Sequence, residues 1–133
     1  MSTLRIEIFP DDLDLAANFY VEVLDFYVER DERTRAPAYL ALRRGDVRVG
    51  AAERSVIASS QRRPPLGVEL VLEVDDLAAS RQRVRESGWP IDEDVTSRSW
   101  GLTDFRILDP FGYYWRITDR YPSSAQPRTE GGS

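Results

Sequence analysis

Two stretches of this chain nearly repeat one another. Leu4 to Leu13 reads Leu-Arg-Ile-Glu-Ile-Phe-Pro-Asp-Asp-Leu, and Val68 to Leu77 reads Val-Glu-Leu-Val-Leu-Glu-Val-Asp-Asp-Leu. In each, apolar residues alternate as in a strand and then run into Asp-Asp-Leu. The aspartates supply an N-cap and a negatively charged first turn, so each copy reads as strand, cap, helix. Asp12 and Asp76 stand 64 residues apart. The spacing predicts two similar half-domains that pack together, and a site between them would take one side chain from each at matching positions.

The same patterns extend through both halves. Leu4 to Phe9 alternates as a strand, and Asp12 to Leu24 is expected as a helix with Leu13, Ala16, Ala17, Tyr20 and Leu24 on one face. Phe26 to Arg30, Tyr39 to Arg43 and Val47 to Ala52 read as strands, the last two joined by the tight-turn signal Arg44-Gly45-Asp46. That is one βαβββ unit. Arg54 to Pro65, polar with Ser-Ser and Pro-Pro, reads as a linker. The second unit follows as strand Val68 to Val74, helix Asp76 to Glu86 capped by Gly88, then strands near Ile91 to Thr96, Asp104 to Leu108 and Tyr113 to Thr118. The class is therefore α+β: two βαβββ modules, about 3–53 and 67–119, forming curved mixed sheets around a cleft within one domain over 1–121. The Ser-, Pro- and Gly-rich stretch 122–133 is expected to be disordered.

Composition removes several chemistries. The chain has no cysteine and no histidine, which excludes thiolate chemistry, disulfides, the usual general base and the commonest metal ligand. All 18 basic residues are arginine, so no lysine is present for Schiff-base chemistry. A net charge of −5 argues against nucleic acid and anionic membranes as partners and favours cationic small molecules. No segment approaches the ~20 apolar residues of a membrane span, and Met-Ser-Thr-Leu-Arg lacks the apolar stretch of a signal peptide. A cytoplasmic location is expected.

Two motifs carry a family resemblance. Ser99-Trp100-Gly101, then Phe105, then Asp109-Pro110-Phe111-Gly112-Tyr113 resembles the closing signature of the glyoxalase, bleomycin-resistance and extradiol-dioxygenase superfamily, also called vicinal oxygen chelate proteins. Asn18-Phe19-Tyr20 to Val23-Leu24-Asp25-Phe26 resembles its first-helix signature, with Asp25 standing where a glycine is usual. The resemblance runs from about Leu4 to Asp119. Locally, Asp109-Pro110-Phe111-Gly112 is a turn between hairpin strands, Pro presetting φ and Gly supplying positive φ.

The resemblance implies a divalent metal held by His, Glu or Gln from the first and last strand of each half. Counting from the Asp-Asp-Leu anchors and from Asp109 places Arg5, Glu69 and Arg116 at three of those positions, with Gly50, or Ala52 in a shifted register, at the fourth. Only Glu69 could bind a metal, and one carboxylate among guanidiniums cannot hold a divalent ion. No metal and no other cofactor is therefore expected.

Alternation puts Arg5, Glu7, Phe9, Glu69, Val71, Glu73, Tyr114, Arg116 and Thr118 on the cleft face, and Leu4, Ile6, Ile8, Leu70, Leu72, Val74, Tyr113, Trp115 and Ile117 on the helix-covered face. Arg5, Glu69 and Arg116 would then meet. Glu69 either ties two arginines into a scaffold triad or leaves one arginine free for a ligand carboxylate or carbonyl. Glu69 or Glu73 as a base is a third reading, weakened because neighbouring arginines lower a carboxylate's pKa. Trp100 resembles the Trp-Gly pair of bleomycin-resistance-like members, dimers that sequester flat antibiotics. Trp100 and Tyr114 are candidate stacking surfaces beside Arg5, Glu69 and Arg116, with core packing the plainer alternative for Trp100. Tyr39 could also stack, whereas Trp89 and Tyr27, near helix ends, read more simply as core. The resulting expectation is a metal-free homodimer binding a small-molecule ligand such as an antibiotic or aromatic metabolite. A superfamily lyase, isomerase or dioxygenase stands as the alternative, and an accessory dimer without a ligand as the blandest.

Overall fold

The alternating stretches become strands, and the Asp-Asp-Leu stretches become helix starts, in a computed structural model that describes residues 3–53 and 67–120. The expected linker over 54–65 and tail over 122–133 lie outside the described residues. The chain divides into two compact units, the first running to Leu66 and including Asp109–Tyr113, the second holding the rest.

In the first unit β1 (Arg5–Ile8) leads into α1 (Leu13–Asn18), which runs on as a π-helical stretch Phe19–Val23, followed by β2 (Tyr27–Glu32), β3 (Tyr39–Arg44) and β4 (Val47–Ala52). The strand order is β1-β4-β3-β2, with β1 parallel to β4 and the other pairs antiparallel. Asp12 caps α1 by accepting from the Leu15 amide at 3.0 Å. The helix expected as regular to Leu24 widens after Asn18, which lets the consecutive residues Phe19 and Tyr20 both be buried, their rings edge to face at 4.9 Å. It ends at Asp25, whose φ of +63° is left-handed, a conformation aspartate tolerates better than most residues and glycine freely. The Tyr20 hydroxyl donates to buried Asp109 at 2.7 Å, and Asp109 also accepts from the amides of Phe111 and Tyr113, which closes the Asp-Pro-Phe-Gly turn. Burial pushes the Asp109 carboxyl up, and the Tyr20 hydrogen bond opposes that shift.

The second unit repeats the plan with β5 (Leu70–Glu73), α2 (Leu77–Ser87), β6 (Glu93–Ser97), β7 (Thr103–Leu108) and β8 (Tyr114–Thr118), in the order β5-β8-β7-β6. Asp76 caps α2 through the Ala79 amide at 3.0 Å, and Gly88 ends it with φ +78°.

The expected alternation places the core. Ile8, Leu40, Leu42 and Val49 are buried in the first unit, and Leu72, Phe105, Ile107, Trp115 and Ile117 in the second. Each such aliphatic side chain contributes roughly 1.5–3 kcal/mol by leaving water. Two expectations are corrected. Leu4, assigned to the helix-covered face, is 78% exposed because it precedes the first hydrogen-bonded residue of β1. Tyr27, read as core, is 54% exposed because β2 is an edge strand with almost every residue in solvent.

Candidate functional site

On the second sheet, register determines which charges meet. Val71 stands opposite Arg116 across β5 and β8, Arg116 opposite Arg106 across β8 and β7, and Arg106 opposite Glu93 across β7 and β6. Arginines directly across strands repel one another, and an acid between them removes that cost. Glu69 takes this role: it accepts from Arg106 Nε at 2.6 Å and lies 3.6 Å from Arg116 Nε. Arg106 also donates to Glu93, which accepts from Arg98 at 2.5 Å, and Arg98 reaches the fully buried Asp104 at 2.8 Å. The bond to Glu69 raises the Arg106 pKa, while Arg98 first and Arg106 second lower that of Glu93, so Arg106 and Glu93 hold their charges at neutral pH.

Arg116 is the exception in this chain. Its separation from Glu69 exceeds hydrogen-bond distance, and its Nε is buried without a hydrogen-bond partner among the described residues. The Arg116 side chain as a whole is a quarter exposed. Beside it in sequence, the Tyr114 hydroxyl donates to Asp92 at 2.7 Å; burial and that bond push the phenol up to about 12, which keeps it a neutral donor. Trp100 sits on the turn closed by Arg98 and Leu102, with Gly101 at φ +95°, and is 49% exposed, so it is no part of the core. Trp89 is half-buried and donates its indole N–H to the Leu108 carbonyl at 2.7 Å.

On the first sheet, Glu7 stands opposite Gly50 and accepts from the Tyr39 hydroxyl at 2.8 Å. A Cβ on Gly50 would lie 1.8 Å from the Glu7 carboxylate and 2.1 Å from the Tyr39 oxygen, so the glycine provides the room for this bond. Burial first and the Glu7 bond second raise the Tyr39 pKa. Arg5 lies 3.3 Å from Glu7, and the Arg30 guanidinium sits 5.5 Å above the Tyr39 ring. Arg48, opposite Arg5 on one side and Arg43 on the other, donates to the Thr3 hydroxyl at 3.0 Å. Arg5, Arg30, Tyr39 and Arg48 line a cavity of about 320 Å³, with Glu29 and Ala41 also at its wall.

Of the residues singled out from sequence, Glu69 and Arg116 come together in the second unit and Arg5 pairs with Glu7 in the first. Counting missed Arg106, Arg98 and Asp104, which belong to strand β7 and the turn before it and fall outside any first-and-last-strand rule. The signal that would have found Arg106 is its place directly across from Arg116. The four positions implied for a metal carry Arg5, Gly50, Glu69 and Arg116, and their one carboxylate is already engaged by Arg106. This donor set does not fit a divalent ion. Among the described residues, no three His, Cys, Asp or Glu side chains gather as a ligand group elsewhere.

The family model for the glyoxalase/bleomycin resistance protein/dioxygenase superfamily matches residues 3–117. Among solved structures, TioX from Micromonospora sp. ML1 superimposes with a TM-score of 0.77 at 19% identity, covering 91% of this chain and all of that one. A member of the same superfamily from Sphaerobacter thermophilus gives 0.72 at 18%, covering 90% and 98%, and a glyoxalase-related enzyme from Fulvimarina pelagi gives 0.69 at 18%, covering 90% and 88%. At these identities the likeness is one of fold. A search of curated proteins found no match.

Proposed function

We propose, from the premise that this chain belongs to the glyoxalase/bleomycin resistance protein/dioxygenase superfamily, that it is a metal-independent small-molecule-binding protein. The carrying observation is Arg116, a partly exposed side chain at a position where the superfamily places a metal ligand, whose buried Nε has no hydrogen-bond partner among the described residues. A buried donor without a partner costs about 1–3 kcal/mol, and the guanidinium's remaining N–H groups suit a ligand carbonyl or carboxylate. The exposed indole of Trp100 on the same unit offers a face for an aromatic ring. Recognition by one planar cation and one planar ring requires no Lewis acid. The ligand class it fits is an aromatic metabolite or antibiotic with a polar end.

A thermal-shift screen of planar antibiotics and aromatic acids on the parent, Arg116→Gln and Trp100→Ala tests this. Hits should stabilise the parent, lose about 1–3 kcal/mol of binding in either variant, and need no added divalent metal. Hits that stabilise both variants as well as the parent would remove these residues from the site. Stoichiometric zinc, nickel, manganese or iron in the purified protein, lost on Glu69→Ala, would overturn metal independence.

A further inference from the structure

We propose that the cavity on the first sheet is an anion subsite, in which Arg48, with Arg5 and Arg30 flanking it, receives a carboxylate or phosphate group. This rests on the small-molecule reading above and names the chemistry of a group the first unit would bind.

The argument starts from how the arginines are partnered. Arg5, Arg48 and Arg43 stand in a cross-strand row, each directly opposite the next. Like charges in such a row raise one another's energy unless an acid intervenes. Arg43 has its acid, donating to Glu29 at 2.9 Å and to the Gly45 carbonyl. Arg5 has a looser one, Glu7 at 3.3 Å, and that carboxylate is also bound by the Tyr39 hydroxyl. Among the described residues, Arg48, in the middle of the row, has only the neutral Thr3 hydroxyl. Arg30 adds a third guanidinium at the same cavity, 3.5 Å from Glu32 and held over the Tyr39 ring.

The net charge of the chain is −5, which on its own predicts a preference for cations. Screening restricts that preference to long range: exposed charges more than about 8–10 Å away are largely damped at physiological salt, so the groups at the wall decide. At the wall stand three guanidiniums and Glu29, which Arg43 already engages; just behind it Glu7 and Glu32 lie 3.3 and 3.5 Å from Arg5 and Arg30, which leaves Arg48 as the guanidinium with no acid beside it among the described residues. An anion placed against Arg48 would relieve the repulsion along the row and accept the planar, paired N–H groups that arginine presents. The Tyr39 ring and the methyl of Ala41 supply an apolar wall for the atoms next to the anion. A volume of about 320 Å³ is at the small end of ligand pockets, enough for an acid group and a few attached atoms.

The test is an amide NMR titration of the full chain with phenyl phosphate, benzoate and the neutral isostere benzamide. Phenyl phosphate should bind most tightly, benzoate less, and benzamide not at all, with shifts centred on Ala41, Leu42, Arg48 and Val49. The phosphate and carboxylate arms thereby distinguish the two sources of negative charge. Arg48→Gln should weaken anion binding by about tenfold or more, as expected for losing a charge-assisted hydrogen bond, and Arg48→Lys by less. Arg120→Gln, which removes an ion pair with Asp75, should leave the affinity unchanged. If Arg48→Gln loses spectral dispersion, Arg5→Gln takes its place, with a severalfold loss expected. Equal shifts from benzamide, parent-like anion affinity in the Arg48 and Arg5 variants, or no response to either anion at millimolar concentration would overturn the proposal. Trp100-dependent binding of a planar ligand surviving alongside a silent anion titration would leave the broader small-molecule reading standing. Silence in both would remove it too.

Discussion

In the second unit Glu69, Arg106, Glu93, Arg98 and Asp104 form an unbroken run of ion pairs, ending on a carboxylate with no exposure. In the first unit, on a sheet of the same order and matching register, Arg5 and Arg30 have acids at 3.3 and 3.5 Å and Arg48 has none among the described residues. The difference begins at a few positions. Arg116 stands opposite Val71 as Gly50 stands opposite Glu7, and Arg106 faces Arg116 as Ala41 faces Gly50. Where the second unit puts two arginines and must balance them, the first puts glycine, whose space the Glu7–Tyr39 pair fills, and alanine, which lines the cavity. One repeated module thus yields a cross-linked charged face in one copy and an open basic face in the other.

The largest expected effect breaks the cross-linked face at its buried end. Asp104→Ala leaves Arg98 with only exposed Glu93 among the described residues, and removing one partner of a buried pair costs about 3–5 kcal/mol. Urea denaturation at neutral pH measures this. A loss below ~1 kcal/mol would mean the second sheet is no more dependent on its charges than the first.

A smaller effect is expected in acid. Arg98 and Arg106 hold the Glu93 carboxyl below its usual range, so its contribution is complete above the ordinary carboxylate pKa and is lost as the pH falls through the lowered folded value. Asp109 has the opposite sign: burial raises its pKa, so its contribution favours the fold while protonated and fades as the pH rises through the folded value. Carbon-detected NMR of the glutamate carboxyls should show Glu93 titrating upward toward the ordinary range in Arg98→Gln. An unmoved Glu93 would show that Arg98 is not what holds it down.

The fold was legible because its signals are local and repeated. Asp12 and Asp76 announce their helices by capping them, Gly88 and Gly112 occupy positive φ, and period-two alternation in Arg5–Ile8 and Tyr114–Thr118 separates Ile8, Trp115 and Ile117 from Glu7 and Arg116. The ion-pair partners were not legible in the same way. Glu69 and Arg106 are 37 residues apart, and which of several arginines a glutamate meets depends on the pairing of β7 with β8 and on side-chain reach, neither of which leaves a local pattern. The same holds for Glu7 and Tyr39, 32 residues apart, whose contact exists only because position 50 is glycine. Tyr27 misled for a related reason: an aromatic residue reads as core until the strand carrying it is known to be an edge.

The smallest expected effect is the most diagnostic of the contrast. Arg48→Gln removes a hydrogen bond to Thr3 from a half-buried arginine, which by itself would cost a few tenths of a kcal/mol. It also removes the middle charge of the Arg5, Arg48, Arg43 row, which returns about as much by ending two cross-strand repulsions. The two terms oppose each other, so the melting temperature should stay within a few degrees of the parent, equivalent to under ~1 kcal/mol for a domain of this size. Raising the salt concentration should narrow the gap further, because screening weakens the repulsion that the substitution removes. A loss comparable to that of Asp104→Ala would make Arg48 a structural residue and end the distinction between the two faces. A stability unchanged while anion affinity falls would mean that the first unit holds its arginines for a partner outside the fold.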